Sequence, residues 1–464
     1  MEDVLMDVQN TSWQERYHAS EIFTLRCRVL DKPGMLGTLV TAIGKVGAQL
    51  GTISVVGIDS QNKIRDITVY CSDKKHLQNI LDTSNGIDGI KVLDVRDEVQ
   101  EIHRRGTIQV RSRVPITTLT DLRMVYTPGV ASVCEKIKAD PEAAWDMTGI
   151  CDRVAIVTNG TAVLGLGDTG VRASLPVMEG KSAIFAEFAG ISAHPILVNS
   201  KDINTIIETV RNIADGFGAI QLEDIKAPDC FEIEEKLQEQ LDIPVFHDDQ
   251  HGTATVLLGA LINAMKKTNR KPRQCSAIIL GAGAAGNAIA KILLEFGIND
   301  IIVYDSVGPL YRDRTERMNP YKRHLAEVTN KNNYSGDLPK GFEGRDIFIG
   351  VARPNMVTGE MISSMAKNCL VFPLSNPVGE ISVEEAYQAG AAIAADGRTI
   401  NNALAYPGLF RGALDARAKD ITFEMQLAAA KELARLTPDE DLLPNMLDRK
   451  VHQKIARAVA RAWH

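Results

Sequence analysis

The stretch SAIILGAGAAGNAIAKILLEF, residues 276–296, constrains the chain more than any other. An apolar run of strand length meets glycines at 281, 283 and 286, a helical pattern follows, and a second apolar run, IIVYD, closes on Asp305, 19 residues after Gly286. Strand, glycine-rich turn and helix in this order form the start of a βαβ unit that binds a dinucleotide. The glycines permit a tight turn, so a pyrophosphate can rest on the N–H groups that open the helix, at the positive end of its dipole. Gly281, Gly283, Ala284, Ala285 and Gly286 are therefore the candidate cofactor-binding turn. Asp305 can accept hydrogen bonds from the ribose hydroxyls and repel a 2′-phosphate, which favours NAD over NADP, although Arg312 and Arg314 nearby leave NADP possible.

Composition excludes several classes. The 464 residues are 45% hydrophobic and 24% charged, enough for two or three ordinary globular domains. A net charge of −7 gives no basic field for nucleic acid, so a small molecule is the expected partner. The seven cysteines stand singly, without a CxxC pair, which argues against a disulfide framework or a thiolate zinc site. The start, MEDVLMDVQN, is acidic where a signal peptide is basic and then apolar, and no uncharged run approaches the roughly 20 residues of a membrane span. The expected location is cytoplasmic, with no membrane partner.

Five segments are expected. A polar lead-in, residues 1–20, precedes a module over 21–97 whose order is βαββαβ: IFTLRCRVL, MLGTLVTAIGKVG, TISVVGI, RDITVYC, KKHLQNILDTS and GIKVLDVRD. That order reads as a ferredoxin-like split βαβ unit. A substrate and metal domain is expected over 98–250, the Rossmann-type domain over 251–404, and helices over 405–464 that pack back on the substrate domain. The fold class is thus α/β. The Asp-Lys-Pro-Gly-x-Leu turn of the first module, Asp31 to Leu36, resembles that of an ACT domain. The resemblance implies pairing of chains through this module and an amino-acid effector near Gly34, where a glycine lets a ligand approach the backbone.

FHDDQHGTA, residues 246–254, raises a question of metal chemistry. His247 and His251 bracket two acids, but a zinc-protease helix needs a glutamate between its histidines, and Gly252 reads as part of a turn. The acids are the better ligands. Glu223 and Asp224 end the strand-like run GAIQLED, and neighbours on a regular strand face opposite ways, so both reach one ion only where the backbone turns. With Asp248 or Asp249 they offer oxygen ligands to a hard ion, Mg²⁺ or Mn²⁺. Such an ion beside a nicotinamide suits a 2-hydroxy acid. Tyr126, before a Pro-Gly turn, and Lys181, at the start of an apolar helix, are candidates for proton transfer.

YTPGVA, LGLGDTG, MEGKSAIFAEFAGI, LEDIKAPDCF, FHDDQHGTA, GAGAAG, PLSNP and NNALAYPGLFRGALD occur in this order between about residues 110 and 430. Together they resemble the malic enzyme family, in its short bacterial type. The resemblance implies oxidative decarboxylation of L-malate to pyruvate and CO₂ with NAD(P) and Mg²⁺ or Mn²⁺, by a homodimer. It assigns Lys181 as base at the C2 hydroxyl, Tyr126 as acid at C3, and Glu223, Asp224 and Asp249 as ligands, with Asp248 a neighbour. It places Asp168 near the site, and Asn376 and Asn402 on substrate or nicotinamide. Longer members carry an arginine for a substrate carboxylate where Ala162 stands here, so another group must do that work. The rival readings are an oxaloacetate decarboxylase or malolactic-type enzyme of the same lineage and an amino-acid sensor with an inactive body.

Overall fold

The computed structural model describes residues 21–163 and 166–463. The expected lead-in, 1–20, and two residues of LGLGDTG lie outside them. The chain forms two compact units, the first ending at Gln109 and the second beginning at Val110.

In the first unit, β1 (Glu21–Leu30), α1 (Met35–Lys45), β2 (Gln49–Ile58), β3 (Asn62–Cys71), α2 (Lys74–Asn85) and β4 (Ile90–Asp97) follow one another in the expected βαββαβ order. The sheet order is β2-β3-β1-β4, with the pairings antiparallel. Alternate residues of β1, Phe23, Leu25, Cys27 and Val29, join Leu39, Ile43 and Ile80 of the two helices in one core. On alternate positions of the strands, Arg26 grips Asp66 through two bonds of 2.8 Å, a cross-strand ion pair. Gly34 opens α1 with φ of +89°, and a Cβ there would meet nothing within 4 Å, so the turn offers open space beside its backbone.

The second unit contains two parallel sheets. After short helices that include α3 (Leu119–Val125) and α4 (Val130–Ala139) come β5 (Arg153–Thr158), α5 (Leu175–Ala189), β6 (Ser192–Leu197), α6 (Ile203–Ile213), β7 (Ala219–Leu222), α7 (Asp229–Gln240) and β8 (Val245–His247), in sheet order β6-β5-β7-β8. The helix α8 (Asp248–Lys267) leads to the second sheet: β9 (Ser276–Leu280), α9 (Ala284–Phe296), β10 (Asp300–Tyr304), α10 (Pro320–Val328), β11 (Ile347–Gly350), β12 (Leu370–Pro373) and β13 (Ile393–Ala394), in order β10-β9-β11-β12-β13. These strands are almost wholly buried, which is why they read as continuous apolar runs rather than as alternations. Three helices close the chain: α11 (Tyr406–Asp415), α12 (Phe423–Leu436) and α13 (Arg449–Ala462). One hydrophobic core runs from β5 and α5 through α8 to β9 and α12, and α8 packs on both α9 and α12. Among the described residues, no helix is long and apolar enough to cross a membrane.

Two local readings need correction. Gly252 does not make a turn; it lies inside the 20-residue α8. A Cβ there would sit 1.8 Å from Oδ1 of Asp248, so the glycine makes room for a carboxylate folded back along the helix. Lys181 is not at a helix start either, because α5 begins at Leu175 and buries Lys181 two turns in.

Candidate active site

The strand β7 stops at Leu222, so Glu223 and Asp224 follow it rather than end it. Asp224 has φ of +53°, outside the strand region, and this turn lets neighbouring acids face one point. Its N–H donates to Oδ2 of Asp249 at 2.9 Å, tying the loop to the first turn of α8. Ligand oxygens of Glu223, Asp224 and Asp249 lie within 4.8 Å of one another, the two glutamate and aspartate neighbours buried and Asp249 half-buried. Three carboxylates crowded away from water repel one another unless a cation sits among them, and an all-oxygen donor set suits Mg²⁺ or Mn²⁺. Burial and the three surrounding aspartates push the Glu223 carboxyl well above the usual range despite Lys181.

Lys181 reaches this cluster from α5. Its Nζ lies 3.0 Å from Oε1 of Glu223 and forms a second, shorter ion pair with Asp248. It also stands 4.7 Å from the ring centroid of Tyr406, a cation–π contact. Burial opposes the charged ammonium, yet Asp248 and Glu223 outweigh it and hold the pKa above that of an ordinary lysine. Burial likewise raises the Tyr406 hydroxyl far above its normal value. Asn402, on a short turn before α11, abuts the start of α8, because a Cβ on Gly252 would meet the Cβ of Asn402 at 3.4 Å.

The two histidines serve a different carboxylate. Glu234 of α7 is buried, and its Oε1 accepts from the His247 N–H at 2.7 Å. Its Oε2 accepts from Nε2 of Gln250 at 2.7 Å and pairs with Nε2 of His251 at 3.1 Å. Burial would raise this acid, but the histidines and their backbone hold it below the usual value, so it stays ionised. An anion at the N-terminus of α8 complements the helix dipole and fixes the turn that carries Asp248 and Asp249.

The glycine-rich turn follows β9. Gly281 has φ of +122°, and a Cβ there would strike the Val351 carbonyl at 2.5 Å. Gly283 faces open space, with nothing within 4 Å, on a cavity of about 450 Å³. Asp305 and Lys322 line the same cavity. Asp305 accepts two bonds of 2.7 Å from Arg314 and one of 2.6 Å from Lys322. Burial works against ionisation, but these cations hold the Asp305 carboxyl down at about 2.

The sequence matches the malic enzyme N-terminal domain over residues 105–238 and the malic enzyme NAD-binding domain over residues 250–463. The chain belongs to the malic enzyme family. It is similar to an NAD-dependent malic enzyme of Geobacillus stearothermophilus, 44% identical over 434 residues, which cover 91% of this chain and 90% of that one. A bifunctional malic/malolactic enzyme of Bacillus subtilis is 43% identical over 382 residues, 80% of this chain and 93% of that one. The solved NAD-dependent malic enzyme of Thermotoga maritima superposes with a TM-score of 0.76 at 41% identity, covering 79% of this chain and 99% of that chain.

Of the residues expected at a malic enzyme site, the fold brings together Lys181, Glu223, Asp224, Asp249, Asp248 and Asn402. Tyr126, just after α3, is 68% exposed, and no hydrogen bond or ion pair among the described residues links its side chain to the cluster. Asn376 is exposed after β12, near Gly397. Gly34 belongs to the first unit. Sequence reasoning missed Tyr406, which the motif NNALAYPGLF contained, and Glu234, Glu380 and Lys322. Glu380 is buried and accepts the Ala352 N–H at 2.7 Å and bonds from Ser375, so it braces the SNP loop.

Proposed function

We propose that this chain oxidatively decarboxylates L-malate to pyruvate and CO₂ and reduces NAD or NADP, with Mg²⁺ or Mn²⁺ held by Glu223, Asp224 and Asp249. The observation that carries the reading is Lys181, buried and paired with Glu223 at 3.0 Å beside three convergent carboxylates. When bound, the dinucleotide takes the C2 hydride and the divalent ion polarises the C2 oxygen. Lys181 is the base for the C2 hydroxyl proton. A cation among Glu223, Asp224 and Asp249 weakens the pull of Glu223 on the Lys181 proton, while Asp248 keeps its pairing with the amine. Asp248 orients the ammonium, and Tyr406 walls it from water. Asn402 is placed to hydrogen-bond substrate at the head of α8, and Asn376 is assigned to nicotinamide or substrate.

Tyr126 is the acid for C3. It lies in a run of exposed apolar side chains, Val110, Leu119, Leu122, Met124 and Val125 among them, which supports pairing of two copies with Tyr126 on the contact face. The open turn at Gly34 supports an amino-acid effector on an ACT-type first module. NAD is the preferred dinucleotide on the strength of Asp305, and the cytoplasm the expected location. Residues 98–250 and 251–404 are assigned as the substrate and dinucleotide domains.

Purified protein supplied with malate, NAD and Mn²⁺ should form reduced dinucleotide and pyruvate together. Lys181→Ala should abolish malate oxidation and spare part of oxaloacetate decarboxylation; equal loss of both would refute the assigned base. The similarity to a bifunctional malic/malolactic relative makes lactate the second product to follow.

A further inference from the structure

Charge poses a problem at this cluster. Four carboxylates, Glu223, Asp224, Asp248 and Asp249, face one ammonium, Lys181. A divalent ion leaves the group one negative charge from neutrality, and a dianionic substrate adds two more. One carboxylate of the substrate can chelate the ion beside the C2 hydroxyl. The other needs a cation, and Lys181 is already committed to Glu223 and Asp248.

Ligands of parallel α/β sheets lie in the crevice beyond the carboxyl ends of the strands. There the loops after β5 and β7 are stitched together. The Ala162 N–H donates to the Asp224 carbonyl at 3.0 Å, the Lys226 N–H to the Thr161 hydroxyl at 3.0 Å, and the Thr169 N–H to the Gly160 carbonyl at 3.2 Å. Two lysines project at this edge. Lys201, after β6, is bonded to Asp168, and the charge of Lys226 also acts on Asp168. Of the two, Lys226 is the less engaged: its nearest acid is Asp229 at 3.6 Å, and its side chain is 49% exposed. It stands two residues after the ligand Asp224 and immediately before Ala227 and Pro228, which line the dinucleotide cavity. A substrate that chelates the ion and hands a hydride to the dinucleotide has to lie between these two places.

We propose that Lys226 receives the substrate carboxylate that does not chelate the divalent ion, with the Lys201–Asp168 pair fixing the edge of that pocket. This makes Lys226 the residue that selects a dicarboxylic 2-hydroxy acid over a monocarboxylic one. The inference rests on the reading of Glu223, Asp224 and Asp249 as the ion site.

The test uses the full chain carrying Lys226→Ala or Lys226→Arg, assayed with malate and with 2-hydroxybutyrate. Losing a bond between charged groups should raise KM for malate about ten- to a hundredfold in the alanine variant. The arginine variant should recover part of the loss. The loss sits in KM for malate, while KM for NAD and the affinity for Mn²⁺, read by calorimetry, hold at wild-type values. Preference for malate over 2-hydroxybutyrate should fall by the same factor. An unchanged KM for malate, or a loss that falls on NAD or Mn²⁺ instead, overturns the assignment. The ion site is tested separately by Mn²⁺ binding to Asp249→Asn: wild-type affinity there would remove the ion reading itself, whatever Lys226→Ala does.

Discussion

Replacing Glu234 by Gln tests how the proposed ion site is held in shape. The change keeps size and removes charge. One amide oxygen can still accept from Gln250 and His251, but the amide NH₂ then faces the His247 N–H, donor against donor. A buried donor left unsatisfied costs about 1–3 kcal/mol. Loss of the anion at the head of α8 removes about 0.3–1 kcal/mol more, so the total is about 1.3–4 kcal/mol. Because Asp249 sits two residues after His247, relaxation of this turn should also loosen the ion, by about 10–100-fold, as for other partners that orient metal ligands. Urea unfolding gives the first quantity and Mn²⁺ titration the second. A variant destabilised by the expected amount that binds Mn²⁺ as tightly as wild type would refute the claim that Glu234 positions Asp249.

Two further outcomes follow from buried charge. Asp305→Ser leaves Arg314, whose side chain is 3% exposed, and Lys322 without their shared carboxylate. The ratio of kcat/KM for NADP to that for NAD should rise, with a stability loss of about 3–5 kcal/mol from the uncompensated cations; an unchanged ratio would remove Asp305 from dinucleotide choice. His452, stacked on Phe188 at 4.6 Å with Nε2 on the Met446 carbonyl, has its pKa lowered by burial from 6.5, as does His194. A folded pKa below the unfolded value means stability is complete above pH 6.5 and is lost as pH falls through that range. Urea midpoints should therefore drop on acidification below pH 6.5, and His452→Gln should flatten part of that slope.

Much of this molecule is legible in the sequence. The strands around Gly281 stood out because strands buried on both faces are continuous apolar runs, and the first unit because its strand-turn-helix order is punctuated by turn residues. The acids Glu223, Asp224 and Asp249, which the fold brings within 4.8 Å of one another, are singled out by motifs rather than by periodicity. Glu234 did not, since FEIEEKLQEQ reads as the solvated face of a helix; only the fold shows that this glutamate points at another helix's first turn. Tyr406 was hidden for the opposite reason, as an aromatic in an apolar helix is ordinarily core. Lys322 stands 17 residues from Asp305 in the sequence, and its pairing depends on how α10 returns over β10. Tyr126 marks a different boundary: a motif names the residue, but its place depends on what packs against an exposed run.

The helix α8 is shared timber. Its head carries Asp249, its flank lies along α9 of the dinucleotide sheet, and no loop intervenes to absorb a change in tilt. Retuning the nucleotide by rebuilding the surroundings of Asp305 leaves this rod alone. Repacking anywhere from Leu257 to Met265 would be felt in both pockets at once, so improvements to one are bound to drag on the other.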